Sequence, residues 1–147
     1  MAYADEDDLN LDATRLVELT DSAAAPGVKD EALLTRLRVE SEAIVNGILA
    51  GSGLLPFSSP PPALITFCTA VIWKYRIFVH RDAMSIPAMV ADDYKMVMGP
   101  DGIGTDGMLE AIAQGQIDLG TGVPNLAGVP EVETSPARGW TPRDCVR

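Results

Sequence analysis

Few side chains in this sequence are of the types that carry out nucleophilic or metal chemistry: one histidine, His80, and two cysteines, Cys68 and Cys145. Cys68 and His80 are separated by twelve residues on one predicted helix, about 18 Å along its axis, which is too far for a thiolate–imidazole pair. Zinc sites need clustered histidines and cysteines, and this spacing does not supply them. The sequence therefore predicts no catalytic residue, no metal, no cofactor and no enzyme activity.

Two other segments contain groups that bind ions in other proteins. Residues 5–8, DEDD, place carboxylates side by side as a paired-carboxylate site would, but a charged, frayed start is the favoured interpretation, with a single turn over residues 5–9 as the alternative. Residues 101–107, DGIGTDG, have glycine spacing similar to a phosphate-binding loop, without a preceding strand or a following basic residue. They also lack the alternating oxygens and final glutamate of an EF-hand. We therefore expect a flexible glycine loop at 101–107 and no binding site there.

The charge of the chain narrows its class of partner. The 147 residues are 47% hydrophobic, which is enough for a buried core. The net charge of −10 disfavours a surface that binds nucleic acid. Residues 1–60 carry 11 acidic and 4 basic side chains, residues 61–120 carry 7 and 4, and residues 121–147 carry 3 and 3. The last segment is therefore neutral and is expected to have a separate role. The acidic N-terminus predicts no signal peptide, and two distant cysteines predict reduced thiols in the cytoplasm.

The longest apolar run lies in PPPALITFCTAVIWKYR, residues 60–76, where residues 63–73 carry no charge. That run is about half of the ~20 residues that cross a bilayer, and Lys74 and Arg76 end it, so no membrane contact is expected. Proline is favoured at the first position of a helix. Pro62 is therefore predicted to begin a helix that reaches Arg81 and, being apolar almost all round, lies at the centre of the fold.

Capping residues and hydrophobic periodicity indicate four further helices. They are predicted at 11–20 with Asp12 as N-cap, at 29–51 between Asp30 and Gly51, at 85–98 from Pro87, and at 105–115 between Thr105 and Gly115. The predicted fold class is all-α, a small bundle of four to five helices in a domain of residues 1–120.

Beyond residue 120 the periodicity is lost, and prolines recur every six residues from Pro124 to Pro142. This pattern predicts an extended tail at 121–147 without a core of its own. The tail is nevertheless more apolar than a spacer requires, so we expect it to dock on a partner; the side chains concerned are Val123, Leu126, Val129, Val132 and Trp140.

The order of several segments resembles a known family. YADEDDL, LVELTD, KDEALLTRLRVESEAIVNGIL, LPFSSPPPALITFCTAVIWKYRIF and LEAIAQGQIDLG follow one another as in the small neck proteins of Mu-like and related siphophages. The resemblance covers residues 1–120 and rests on the ordered set of segments. It implies an all-helical head-completion or adaptor protein without catalytic residues.

The resemblance also implies partners. Members assemble as a ring, commonly of twelve copies, at the portal vertex of the virion, between the portal protein and the stopper or tail terminator. DNA passes through the ring without sequence-specific binding. The charged end of the central helix, with Lys74, Arg76 and Arg81, is then expected to reach a neighbouring subunit. A DNA-packaging or regulatory helical module that binds nucleic acid directly is the alternative, and the net charge disfavours it.

Three features depart from the family pattern. Where many relatives have an aspartate-rich loop after LTD, this chain has TDSAAAPGV, which puts a metal there in doubt. The glycines at 99–107 split a helix that runs unbroken in relatives and predict an extra surface loop. The tail at 121–147 is not a usual family feature, and we expect it to make a contact of its own in the neck.

Overall fold

The structure, a computed structural model, describes residues 2–21, 25–82 and 84–119. These ranges form a short 3-10 helix, Asp7–Leu9, and five α-helices: α1 (Ala13–Thr20), α2 (Glu31–Leu49), α3 (Ala63–Asp82), α4 (Ala88–Met98) and α5 (Met108–Ala113). No strand occurs among the described residues. The predicted helical fold class is confirmed for them, whereas the predicted tail at 121–147 lies outside the described ranges.

Side-chain caps fix the starts of the first two α-helices, as the sequence predicts. The Asp12 carboxylate accepts a 2.8 Å hydrogen bond from the main-chain N–H of Arg15, and the Asp30 carboxylate accepts one of 2.9 Å from Leu33. Each bond satisfies an amide that has no partner within its own helix. At the other end of α2, Gly51 has a φ of +101°. The predicted glycine just beyond the end of this helix is therefore confirmed.

The starts of the later helices differ from prediction. α3 and α4 each begin one residue after the predicted proline, and the main-chain oxygen of Pro62 accepts from Thr66 at 3.1 Å. The prediction of Thr105 as the cap of α5 is wrong, because Gly107 precedes the helix and no side chain caps it. Thr105 instead belongs to the loop between α4 and α5, where its main-chain oxygen packs on the backbone of Gly99.

That loop, residues 99–107, is closed by its own backbone. Gly104 N–H donates to the main-chain oxygen of Met98 at 2.8 Å, and the Tyr94 hydroxyl donates to that of Gly102 at 3.2 Å. Gly104 also lies against Ile48 of α2. The predicted loop is present, and it forms a compact turn held by hydrogen bonds and packed on the bundle. Its flexibility stays a prediction.

The central position predicted for the apolar helix is confirmed. α3 packs against the 3-10 helix, α1, α2 and α4, while α5 packs against α2 and α4. Trp73, Ile72 and Ile77 of α3 are almost completely buried. The core has two parts. One, formed by the 3-10 helix, α1, α2 and α3 together with Val90 of α4, includes Trp73. The other, between α2, α3, α4 and α5, includes Ile72.

Among the described residues, α3 is long and apolar enough to cross a membrane by length and composition. Half of the apolar stretch is buried inside the protein. Its buried side chains contact the neighbouring helices of both parts of the core. Core helices of soluble bundles share these properties, so the length and composition of α3 alone do not indicate a membrane span.

Candidate assembly surface

The three cationic residues that the sequence singles out lie on the second half of α3. Arg76 forms an ion pair with Glu40 of α2. Arg81 donates to the main-chain oxygen of Asp21 at 3.1 Å, and its Nη1 lies 3.0 Å from the carboxylate of the same residue. Lys74 is half-buried and has no ion-pair partner within the described ranges. The two arginines therefore tie α3 to its own neighbours, and their contact with another subunit stays a prediction.

An open depression of about 550 Å³ lies beside Arg81, between the ends of α1 and α3 and the start of α2. Its rim carries Arg36, His80 and Arg81 together with Asp21 and Asp30. The two arginines and the two aspartates balance in formal charge, and the depression is open to solvent, unlike the enclosed and largely apolar pockets that bind small molecules. This geometry suits contact with another macromolecule better than binding of a small substrate.

The cysteine that sequence reasoning considered as a nucleophile is a core residue. Cys68 is completely buried, and its Sγ lies 3.7 Å from the sulfur of Met108. Burial raises the pKa of the Cys68 thiol to about 12, because the thiolate would lose its hydration. The thiol is therefore protonated at neutral pH, which makes it a poor nucleophile. Within the described ranges, no group of three or more metal-ligating side chains comes together.

The carboxylates of the acidic N-terminal segment form hydrogen bonds and an ion pair that hold this segment on the folded domain. Asp5 accepts hydrogen bonds from the main-chain N–H groups of Asp7 and Asp8, at 3.1 and 3.3 Å, and Glu6 forms a 2.7 Å ion pair with Lys29. Leu9, at the end of the 3-10 helix, is buried. Of the two outcomes considered for DEDD, a single turn or a frayed start, the structure shows the turn. Its carboxylates serve local structure.

Tyr3 attaches this segment to α2. Its hydroxyl donates to the Asn46 side chain at 2.8 Å, and its main-chain N–H donates to Glu42 at 3.0 Å. Its ring packs edge-on against Phe57 with centroids 5.5 Å apart. The start of the chain is thus part of the folded domain.

Sequence reasoning missed two exposed apolar surfaces on α2 and α4. Val39 on α2 is 54% exposed, and Met89 and Met96 on α4 are 74% and 46% exposed. Met89 and Met96 are seven residues apart, so they share one side of α4. The signal was present as an apolar pair at helical spacing, but spacing alone does not say whether such a pair faces the core or solvent. The predicted tail contacts at Val123, Leu126, Val129, Val132 and Trp140 lie outside the described ranges.

Comparison with known proteins identifies the family. A family model described as bacteriophage Mu Gp36 matches residues 3–133. The match confirms the resemblance to a Mu-like phage family, and it runs past residue 120 into the segment assigned to the tail. Neither the curated proteins nor the solved structures contain a match. Since the matched region is most of the 147 residues, the chain belongs to the bacteriophage Mu Gp36 family.

Proposed function

We propose that this protein is a structural component of the phage neck, an adaptor that assembles as a ring between the portal protein and the stopper or tail terminator. The observation that carries the proposal is the family match, which makes the chain a phage protein and supports a role in virion structure or morphogenesis. The ring, of about twelve copies in the resembling neck proteins, sits at the portal vertex of the virion. DNA passes through its channel.

The electrostatics of the folded domain support a channel through which DNA passes without binding to the wall. The chain carries a net charge of −10. Six of the eight lysines and arginines in the described ranges pair with carboxylates of the same chain, which leaves Lys74 and Lys95. Acidic walls repel DNA phosphates, and phosphate binding needs clustered unpaired cations. No observation favours the alternative of a module that binds nucleic acid directly.

The charged half of α3 is the surface that we assign to ring assembly. Arg76 and Arg81 are fixed by Glu40 and Asp21, but their side chains remain 34% and 50% exposed. A pre-positioned arginine with free donors can bind acidic groups of a second subunit with little loss of side-chain entropy. Lys74, half-buried and without an ion-pair partner among the described residues, adds an uncompensated charge to the same helix.

We further propose that the tail at 121–147 docks on a neighbouring neck component through Val123, Leu126, Val129, Val132 and Trp140. The support is compositional, since this segment is neutral and apolar where the folded domain is acidic. Deletion of 121–147 is expected to leave the helical domain folded, by circular dichroism, and to weaken attachment to the next neck component in a pull-down. Unchanged attachment would show that the tail has no such role.

The direct test is to locate the protein in virions. Cryo-electron microscopy of the portal vertex is expected to show the helical domain repeated around the channel axis below the portal. A complete, infectious virion from which the protein is absent, or a neck without this density, would refute the proposal. No membrane fraction is expected to retain the protein during particle assembly.

A substitution at Arg76 tests the assigned surface. Arg76→Ala removes a half-exposed ion pair, so unfolding stability should fall by less than about 1 kcal/mol while assembly onto the portal decreases. Lys29→Ala is the matched control, because Lys29, whose side chain is 28% exposed, pairs with Glu6 and Glu31 rather than with a residue of α3. The control should lose similar stability and assemble normally. An Arg76→Ala protein that assembles as well as the control, or that does not fold, would contradict the assignment.

A further inference from the structure

The outward side of α4 carries apolar groups and charges that have no partner in the described part of the chain. Met89 and Met96 are 74% and 46% exposed, and Asp92 and Lys95 are exposed beside them. The side chains of Asp92 and Lys95 form no hydrogen bond or ion pair with any described residue. Large exposed methionines beside unpaired charges are typical of surfaces that bind another protein, because the flexible thioether side chain adapts to a partner.

The outward side of α2 has the complementary composition. Val39 is 54% exposed, and the positions on the same side of the helix toward its end, Ala43 and Gly47, are small and exposed. No heavy atom lies within 4 Å of the position that a Cβ of Gly47 would take. At the edge of this side, Arg36 and Glu40 form a loose ion pair with each other, 3.8 Å between nitrogen and oxygen, and Glu40 also pairs with Arg76 of α3. Their side chains nevertheless remain 60% and 40% exposed.

The fold places these two surfaces on different flanks of the domain. α2 and α4 both pack on the central helix α3. Their buried residues, such as Val45 of α2 and Val97 of α4, belong to the same core cluster. Apart from Glu40, which reaches Arg76 of α3, the exposed side of each helix points away from α3, so one copy cannot bring its own two surfaces together.

We propose that the outward side of α4 docks on the outward side of α2 in a second copy of this chain, with the two helices parallel. This inference deepens the proposed ring and rests on it, since a contact between two different surfaces leaves each free to bind a further copy. Repetition of such a contact closes a ring when the rotation between copies allows it.

The charge pattern selects the parallel orientation. Along α2 a positive charge, Arg36, precedes a negative one, Glu40; along α4 a negative charge, Asp92, precedes a positive one, Lys95. The two pairs are spaced by four and three residues, about 6 and 4.5 Å along the axes. Parallel packing therefore sets each charge beside one of opposite sign. Antiparallel packing would instead set Arg36 beside Lys95 and Glu40 beside Asp92, which repel.

The apolar groups agree with the same orientation. Going round the helix at about 100° per residue, Glu40 and Val39 lie at opposite edges of the exposed side of α2. Lys95 and Met96 lie likewise at opposite edges of the exposed side of α4. When parallel helices face each other, the edge with Glu40 meets the edge with Lys95, and Val39 meets Met96. Antiparallel packing would place Val39 against the lysine.

Disulfide cross-linking between two tagged versions of the full-length chain tests the contact. Val39→Cys is introduced in one version and Met96→Cys in the other, both with Cys145→Ser; Cys68 is retained because it is completely buried. After co-assembly and mild oxidation, a cross-link between the two tags is expected. The matched control replaces Val39→Cys with Ile103→Cys, since Ile103 is 71% exposed but lies outside both surfaces. At least tenfold less cross-linked product is expected from this pair.

The other outcomes each overturn the contact in a recognisable way. Cross-links only between two copies of Met96→Cys would show that α4 pairs with itself. Equal yields with Ile103→Cys would show random collision. A ring seen in virions without a Val39–Met96 cross-link would overturn this contact and leave the proposed function in place. Absence of the protein from the neck would overturn the proposed function itself.

Charge reversal with rescue provides a second measurement, which does not depend on cysteine chemistry. Asp92→Arg is expected to reduce the assembled fraction at least tenfold, because it brings two arginines together. Combining it with Arg36→Glu should restore assembly to within about twofold of the unaltered chain. Failure of the second substitution to rescue the first would refute the pairing of Arg36 with Asp92.

Discussion

Gly99 offers a sharp test of the packed loop that joins α4 to α5. A Cβ built on Gly99 would lie 1.6 Å from the main-chain oxygen of Thr105, and the residue has a φ of +83° and a ψ of 168°. Side chains other than glycine almost never adopt this conformation, which carries about 1–3 kcal/mol of strain for them. Relief of the overlap requires a backbone shift that adds about 1–3 kcal/mol. Gly99→Ala is therefore expected to lower the unfolding free energy by about 2–6 kcal/mol.

The matched control is another glycine with the opposite expectation. Gly47 lies within α2, has no positive φ, and its Cβ position is open. Gly47→Ala should raise the unfolding free energy by about 0.5–1 kcal/mol, because alanine loses less backbone entropy when the helix forms. Both variants are compared with the unaltered chain by urea unfolding, followed through helical circular dichroism. All proteins are kept at one concentration, since assembly would add its own stabilisation.

The comparison has a clear refuting result. A loss below about 0.5 kcal/mol for Gly99→Ala would fall within the ordinary range of surface substitutions. The loop at 99–107 would then not be closed as described, and Thr105 would not pack on Gly99. Destabilisation by Gly47→Ala would in turn show that the outward side of α2 is already covered within the monomer.

Three further predictions concern the cap of α1, the buried thiol and an aromatic pair. Asp12→Ala should lower stability by about 0.5–2 kcal/mol and Asp12→Asn by much less, since asparagine also accepts from the Arg15 amide; equal losses in thermal melts would contradict the cap. The pKa of the Cys68 thiol is about 12 in the folded protein against 9.0 for an unburied thiol, so its contribution to stability is complete below pH 9 and is lost as pH rises toward 12. Between pH 8 and pH 10 the ionisation of this thiol should lower the unfolding free energy by about 1.4 kcal/mol, a loss that Cys68→Ala does not show. Identical dependence of stability on alkaline pH in the two proteins would refute the burial of Cys68. The rings of Tyr75 and Tyr94 stack with centroids 3.8 Å apart, so a double-mutant cycle to leucine should give a coupling of about 0.5–1.5 kcal/mol, and additive effects would contradict the contact.

Much of the helical framework follows from local signals in the sequence. Asp12 and Asp30 cap their helices as predicted, because an N-cap acts on amides two or three residues away. The apolar run after Pro62 forms the central helix, since a helix without a polar side must be buried. The prediction of Thr105 as a helix cap was wrong because Thr105 packs against Gly99 instead. Gly99 lies outside the short pattern that marks a helix start, and only the folded loop brings the two residues together.

The candidate surface was only partly predictable. Lys74, Arg76 and Arg81 stand out in the sequence because they end an apolar run. Their partners Glu40 and Asp21 do not, because ion pairs between helices depend on how the helices pack. The exposure of Met89 and Met96 could not be predicted either, since a methionine at helical spacing fits a core as well as a surface.

The sequence alone determined the helical class and the order of the segments that places the chain in its family. These properties depend on residue type and on spacing within one or two turns. Tertiary structure decided which sides of α2 and α4 remain open, that the glycine loop closes on itself, and that Arg76 and Arg81 are held by carboxylates of other helices. Each of these depends on the placement of helices around α3, which is settled by burial summed over the whole core rather than by any short stretch of residues.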